Sequence, residues 1–472
     1  MSEPIQADIC VIGAGSAGLS VAAGAAQLGR RTVLIEAHRM GGDCLNTGCV
    51  PSKSLIAAAR MAQARRTSGP FGVRPAEPDV DFAAVHRHVH DVIAAIAPHD
   101  SVERFEGLGV TVIRGRARFR TGDEVEVDSG ERIRARRIVI ATGSRAAVPS
   151  VPGLEAVPFL TNETVFELTV LPERLIVLGG GPIGCELAQS FARLGGRVTL
   201  LDIGPILPKD DPELAAIVRG RLMAEGVVVR ERVRVLRVEP GPTVAIEAGA
   251  GEERVAGTHL LVATGRKANV EGLALERAGI AHDERGIKVD KGLRTTNRRV
   301  YAIGDVAGGL QFTHVAGWHG ALVIRNALFR LPVDAAPRAV PWVTFTDPEL
   351  AAVGLSETEA QRQRLPHDIV RWPYAENDRA RAERATDGLI KLTIGRRGRV
   401  LGAAIVGAHA GELIFPWVLA VQQGLKLSAM AAAVAPYPTF SEVSKRAAGA
   451  WFTPKLFSDR TRKLVDLLAR LG

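Results

Sequence analysis

The sequence predicts an α/β protein of several domains. Two of them each centre on a parallel sheet, and a smaller C-terminal one mixes an antiparallel sheet with helices, α+β in class. Three observations carry this. A unit of apolar strand, glycine turn, helix and second strand with an acidic end occurs twice, at Asp8 to Glu36 and at Leu175 to Asp202. A strand closing on Ala-Thr-Gly also occurs twice, ending at Gly143 and Gly265, and from about Pro341 the texture changes to separated apolar runs. At 472 residues the chain exceeds what one core serves. The expected divisions are 1–150, 151–270, 271–340 and 341–472, the first and third forming one discontinuous domain.

In chain order, Asp8 to Ile12 reads as a strand leading into Gly13-Ala14-Gly15-Ser16-Ala17-Gly18, then a helix from Leu19 to Leu28 and a strand from Thr32 to Ile35 before Glu36. This is the logic of a Rossmann-like dinucleotide site. Glycines let backbone approach a pyrophosphate, the helix N-terminus faces its charge, and the acidic residue accepts from a ribose hydroxyl.

Gly41 to Lys53 follows, with Cys44 and Cys49 framed by glycines and Pro51 tolerated in the first turn of a helix expected over Ser52 to Ala64. Cys49 is therefore expected just ahead of a helix N-terminus, where the macrodipole favours the reactive thiolate. A Pro/Gly-rich connection to Asp81 precedes a helical stretch from Phe82 to Leu108 broken at Pro98. His86 and His90 share a face of it while His88 points away, and no carboxylate or cysteine completes a ligand set, so they read as surface histidines, not as metal ligands.

Short strands between Val110 and Ile140 close on Ala141-Thr142-Gly143-Ser144, and a Pro-marked linker runs from Val148 to Pro158. The second unit has its strand at Leu175 to Leu178, its turn at Gly179-Gly180-Gly181-Pro182-Ile183-Gly184, a helix from Cys185 to Leu194 and a strand from Val198 to Leu201. Asp202 at that strand's end suits the 2′-hydroxyl of NADH and would repel the 2′-phosphate of NADPH, so NADH is the expected donor and NADPH a possible one. Val300 to Asp305 reads as a further strand with an acidic tip. Beyond Pro341, strands at Trp342 to Phe345 and Ile390 to Ile394 and helices at Glu412 to Gln423 and Ser441 to Ala450 suggest an antiparallel sheet with helices on one face.

Composition excludes other classes. Four cysteines (Cys10, Cys44, Cys49, Cys185) rule out a disulfide scaffold, and Cys10 and Cys185 read as buried structural thiols. The net charge of +9 is spread over scattered arginines without stacking aromatics, which argues against nucleic acid. No apolar run approaches the roughly 20 residues of a membrane span, and the polar start does not resemble a signal peptide, so a cytoplasmic protein is expected.

These pieces, in this order, resemble the pyridine nucleotide-disulfide oxidoreductases of the glutathione reductase, lipoamide dehydrogenase and mercuric reductase type, from Ile9 to about Leu467. The resemblance implies FAD on Gly13, Gly15 and Gly18 with Glu36 on its ribose, Asp305 near its ribityl and pyrophosphate, and Thr142 and Gly143 lining the site. Gly42, Lys53, Gly265, Gly304 and His314 complete the expected cofactor set, and NAD(P)H is expected along Gly179, Gly181, Gly184 and Asp202. It further implies a Cys44-Cys49 disulfide reduced by way of the flavin, with Cys49 against the flavin and Cys44 as the outward interchange thiol. Lys53 and Glu186 match a pair that the family places beside the flavin, and a homodimer with a shared active site is expected.

One segment departs from the pattern. Where the family's disulfide reductases carry His-Pro-Thr-x-x-Glu, this chain has Tyr437-Pro438-Thr439-Phe440-Ser441-Glu442. A phenol titrates near 10 and an imidazole near 6.5, so Tyr437 is a poor proton shuttle at neutral pH, and Glu442 has lost the group it would orient. Mercuric reductases are similar here, with Tyr437 in an Ala-Pro-Tyr context, and soft thiolates suit Hg(II) directly. Yet Trp451 to Gly472 lacks their cysteine pair, and no N-terminal metal-binding domain is expected. The expected function is reduction of Hg(II), another soft metal ion or a small oxidant. The alternatives are a dihydrolipoamide dehydrogenase-like reductase without its base, a diaphorase or transhydrogenase, and a non-catalytic flavoprotein component.

Overall fold

A computed structural model describes residues 3–249, 251–336 and 339–470. Two compact units divide the chain, one holding residues 3–179, 190–201, 233–249 and 251–336 and the other residues 180–189, 202–232 and 339–470.

In the first unit the strand Ile5–Ile12 is central, and Ile9, Cys10, Val11 and Ile12 are all buried, as a strand covered on both faces requires. It pairs in parallel with Thr32–Glu36 on one side and Arg132–Ile140 on the other, and Val110–Arg114 and Val300–Ala302 extend the parallel part. The antiparallel hairpin Ala117–Phe119 and Glu124–Val127 completes seven strands.

The register decides where the motifs meet. Ile12 lies opposite both Ile35 and Ile140, and Ile140 opposite Ala302. Glu36 at the tip of its strand, and Gly13, Thr142 and Gly304 just beyond theirs, therefore emerge at one carboxyl-end edge, where ligands sit in open parallel sheets. A second parallel set, Arg174–Leu178, Arg197–Leu201 and His259–Val262, belongs to the same unit.

The helices begin earlier than the apolar pattern predicts. Ser16–Gln27 starts inside the first glycine motif, Pro182–Arg193 inside the second, and Cys49–Arg66 at the cysteine itself. A glycine turn flows directly into helical geometry, whereas apolar periodicity appears only where a turn first faces the core.

The second unit carries a five-stranded antiparallel sheet in the order Trp342–Thr344, Glu349–Gly354, Val400–Gly407, Leu389–Gly395, His367–Pro373. Ile390, Leu392 and Ile394 join a core with Trp417 of the helix Phe415–Gln423 and Val443 and Ala447 of the helix Glu442–Ala450. The expectation of helices on one face alone is corrected. Lys391, which alternates to the opposite face, is 6% exposed and binds Asp211 at 2.8 Å, Glu213 at 3.0 Å and Glu357 at 2.7 Å, so the start of the helix Pro212–Ala224 covers that side.

Candidate active site

The first glycine turn is built for an anion. The helix Ser16–Gln27 has no side-chain cap and no acidic residue in its first turn, leaving its N–H groups for a ligand. A Cβ on Gly18 would stand 1.9 Å from the Gly13 carbonyl oxygen, so only glycine permits the close strand-to-helix packing. Glu36, buried at the tip of its strand, accepts from the Ala14 N–H at 2.6 Å and the His38 N–H at 2.7 Å.

The cysteine segment is laid against this turn. Gly41 forms a parallel bridge to Gly15, and a Cβ on Gly42 would meet the Gly15 Cα at 2.7 Å. A short helix, Gly42–Asn46, carries Cys44, and the helix Cys49–Arg66 opens on Cys49 with neither a side-chain cap nor an acidic residue in its first turn. Both sulfurs are free thiols here, Cys44 half-buried and Cys49 exposed. Cys49 Sγ lies 3.3 Å from the Thr313 hydroxyl.

A hydrogen bond from Cys44 lowers the Cys49 thiol to about 6 against the opposing effect of burial, with Thr313 and the positive charge of Lys53 adding to the lowering. Cys44 moves strongly upward through its bond to Cys49 and through burial. Within this coupled pair, Cys49 is the thiol shifted toward thiolate and Cys44 the one shifted away from it. Cys10 and Cys185, fully buried, are pushed upward by desolvation, as inert structural thiols should be.

A polar network joins the segment to the sheet edge. Asp43 accepts from Thr47 at 2.6 Å, Asn162 at 3.1 Å and Arg266 at 2.9 Å. Arg266 also donates to Ser144 at 2.7 Å, and Ser144 donates to Asp305 at 2.5 Å, whose carboxyl burial pushes upward. The two Ala-Thr-Gly closures are thus tied together through the residue after each. Thr142 donates to the Asn269 carbonyl at 2.7 Å, Gly143 faces open space, and His314 is exposed with its ring stacked on Phe312. The buried His319, unnamed by sequence reasoning, accepts from the Gly304 N–H at 3.3 Å and is held below the usual imidazole value by burial.

Asp43, Ser144, Asn162, Arg266 and Thr313 also escaped sequence reasoning. Three of them adjoin a motif residue, and that adjacency was the available signal.

At the second turn, Asp202 accepts from the Gly180 N–H at 2.5 Å and the Gly204 N–H at 2.6 Å, while Gly181 faces open space, Gly184 is buried, and Gly179 packs against the Ala263 carbonyl. Buried Glu186 accepts from the Phe345 N–H at 2.9 Å. Lys53 Nζ lies 3.4 Å from the Ser52 hydroxyl. These two belong to different units, and each has local partners. Gly265, in an extended glycine conformation, accepts from the Ala147 N–H.

Tyr437 is exposed and donates to Asp378 at 3.0 Å, which raises its phenol further above neutrality. Glu442 is buried and faces Arg446 at 3.8 Å.

Residues 7–320 match the family described as pyridine nucleotide-disulphide oxidoreductase, and residues 340–448 match its dimerisation domain. The chain belongs to this family. It is accordingly an oxidoreductase, and the family is FAD-dependent with NAD(P)H as electron donor. A mercuric reductase of Streptomyces lividans is 36% identical over 456 residues, spanning 93% of this chain and 95% of that protein. A dihydrolipoyl dehydrogenase of Geobacillus stearothermophilus is 33% identical over 94% of this chain and 96% of its own length. Among solved structures, the Cu(II) complex of the HOCl-induced flavoprotein disulfide reductase RclA from Escherichia coli superposes with a TM-score of 0.85 at 29% identity, covering 95% of this chain and all of that one. The uncapped helix start, the open Gly143 and the buried Glu36 fit the FAD of this family. Among the described residues no helix is long and apolar enough to cross a membrane.

Proposed function

We propose that the protein reduces a soft metal ion, Hg(II) foremost, with electrons from NAD(P)H delivered through Cys44 and Cys49. The observation that carries this is the cysteine pair at an uncapped helix start, the Cys49 sulfur 3.3 Å from the Thr313 hydroxyl and its thiol shifted downward, with Tyr437 where the family's disulfide reductases hold an acid-base histidine. FAD, bound along Gly13, Gly15, Gly18 and Glu36, supplies the two-electron link between nicotinamide and dithiol. Cys49 holds the thiolate with the help of Thr313 and Lys53, and Cys44 keeps the remaining proton until a soft ion displaces it. Such an ion needs two sulfurs and no proton shuttle. Hg(II) takes up two electrons and leaves as Hg(0) while one NAD(P)H is oxidised. The mercuric reductase relatives and the Cu(II)-bound neighbour support a metal acceptor.

In this reading residues 1–150 and 271–340 bind FAD, 151–270 bind NAD(P)H with Asp202 favouring NADH, and 341–472 dimerise. Lys53 acts beside the flavin, with Gly42, Thr142, Gly143, Gly265, Gly304, Asp305 and His314 around it. The protein is a cytoplasmic homodimer with a shared active site. The test is anaerobic titration of the NADH-reduced enzyme with Hg(II), lipoamide, glutathione disulfide and a quinone. Hg(II) is expected to sustain NADH oxidation that Cys44→Ser and Cys49→Ser abolish, and a Cys49→Ser protein with full turnover would sink the proposal.

A second reading, reduction of a small disulfide, is favoured by the dihydrolipoyl dehydrogenase relatives. It predicts ready lipoamide turnover by the unmodified chain. The first reading predicts that lipoamide turnover is slow and rises about a hundredfold with Tyr437→His, the lower range for a positioned acid-base group.

A further inference from the structure

His86 and His90 stand one turn apart on the helix Phe82–Ile96, with ring centroids 4.2 Å apart. The carboxylate that the sequence reading did not find to complete a ligand set comes from a distant segment: Glu167 ends the short 3-10 turn Val165–Glu167. Ligand atoms of the three residues lie within 4.8 Å of one another. His90 Nε2 is 3.8 Å from Glu167 Oε2 and 3.3 Å from the Phe166 carbonyl oxygen. Two oxygens of one turn therefore already face a single ring nitrogen.

We propose that His86, His90 and Glu167 form a site for a borderline divalent cation of the Zn(II) or Cu(II) class, away from the cysteine pair. Two imidazoles and a carboxylate match the donor preferences of these ions and not those of Mg(II) or Ca(II), which take oxygen ligands. A cation in place of the His90 Nε2 proton meets the same two oxygens with more charge. Tetrahedral bonds of about 2.1 Å require ligand atoms about 3.4 Å apart. Closing from the observed spacing asks only for rotation of side chains at the surface, since Glu167 is 58% exposed and His90 33%. Three protein ligands leave a fourth position to water.

The test uses the FAD-loaded enzyme with Cys44 and Cys49 oxidised to their disulfide, so that thiols do not compete. Calorimetry with Zn(II) alone is expected to show one saturable ion per chain. His90→Gln and Glu167→Gln should each weaken it at least about tenfold, and the double variant His86→Asn/His90→Asn should abolish it. NADH-dependent flavin reduction and the circular dichroism of all variants should be unchanged, because these side chains are partly exposed and outside the core. Cu(II) bound at the same stoichiometry should give a paramagnetic resonance spectrum split by two nitrogens. Absence of saturable Zn(II) binding in the parent enzyme, or undiminished binding by the double variant, overturns the proposal.

Discussion

Thr313 supplies a hydroxyl 3.3 Å from the Cys49 sulfur, and that one group helps decide whether Cys49 is a thiolate at neutral pH. With the thiol lowered to about 6, thiolate appears as pH rises through that value, so alkylation by iodoacetamide should rise to a plateau by about pH 7 and not near 8.5. Thr313→Val removes the hydrogen bond and should move the midpoint upward by about one pH unit, read from thiolate absorbance against pH. At the second glycine turn Asp202 accepts from the Gly180 and Gly204 N–H groups, and under the proposed NADH preference its charge is what repels a 2′-phosphate. Asp202→Asn removes its charge yet can still accept a backbone N–H. The NADH-to-NADPH ratio of kcat/KM should therefore fall at least about tenfold in steady-state assays.

Among the elements, the strand Leu389–Gly395 alternates between two environments: Ile390 and Leu392 face the apolar core and Lys391 faces Asp211, Glu213 and Glu357. Lys391→Met is expected to leave buried Asp211 without its counterion and to cost about 3–5 kcal/mol, measured by denaturant unfolding. A Lys391 variant as stable as the parent would show that the cluster is dispensable. The early starts of the three helices after glycines have a functional reading as well. At Cys49 the shift places the thiol in the first turn itself, inside the reach of the helix N-terminal field.

Over the whole molecule, a chain carrying this dimerisation domain is expected to sediment as a dimer under dilute native conditions. A monomer that retains full activity would exclude a site shared between subunits. Much of the fold was legible beforehand because its signals are local. Strand, glycine turn and acidic residue lie within about thirty residues of each other, and each glycine answers to its own backbone. The cysteine pair, both nucleotide turns and the tyrosine at the usual histidine position could be read in the same way. Contacts between residues far apart in sequence could not. Nothing local says that Arg266 joins Asp43 to Ser144, that Thr313 meets Cys49, that Tyr437 donates to Asp378, or that Glu167 comes to His90. Sequence pattern was enough for the identity and order of the chemical groups, since motif spacing is a property of the chain. Their proton positions and partners came from folding, because hydrogen bonds and burial arise only where strand register brings separate segments to one edge.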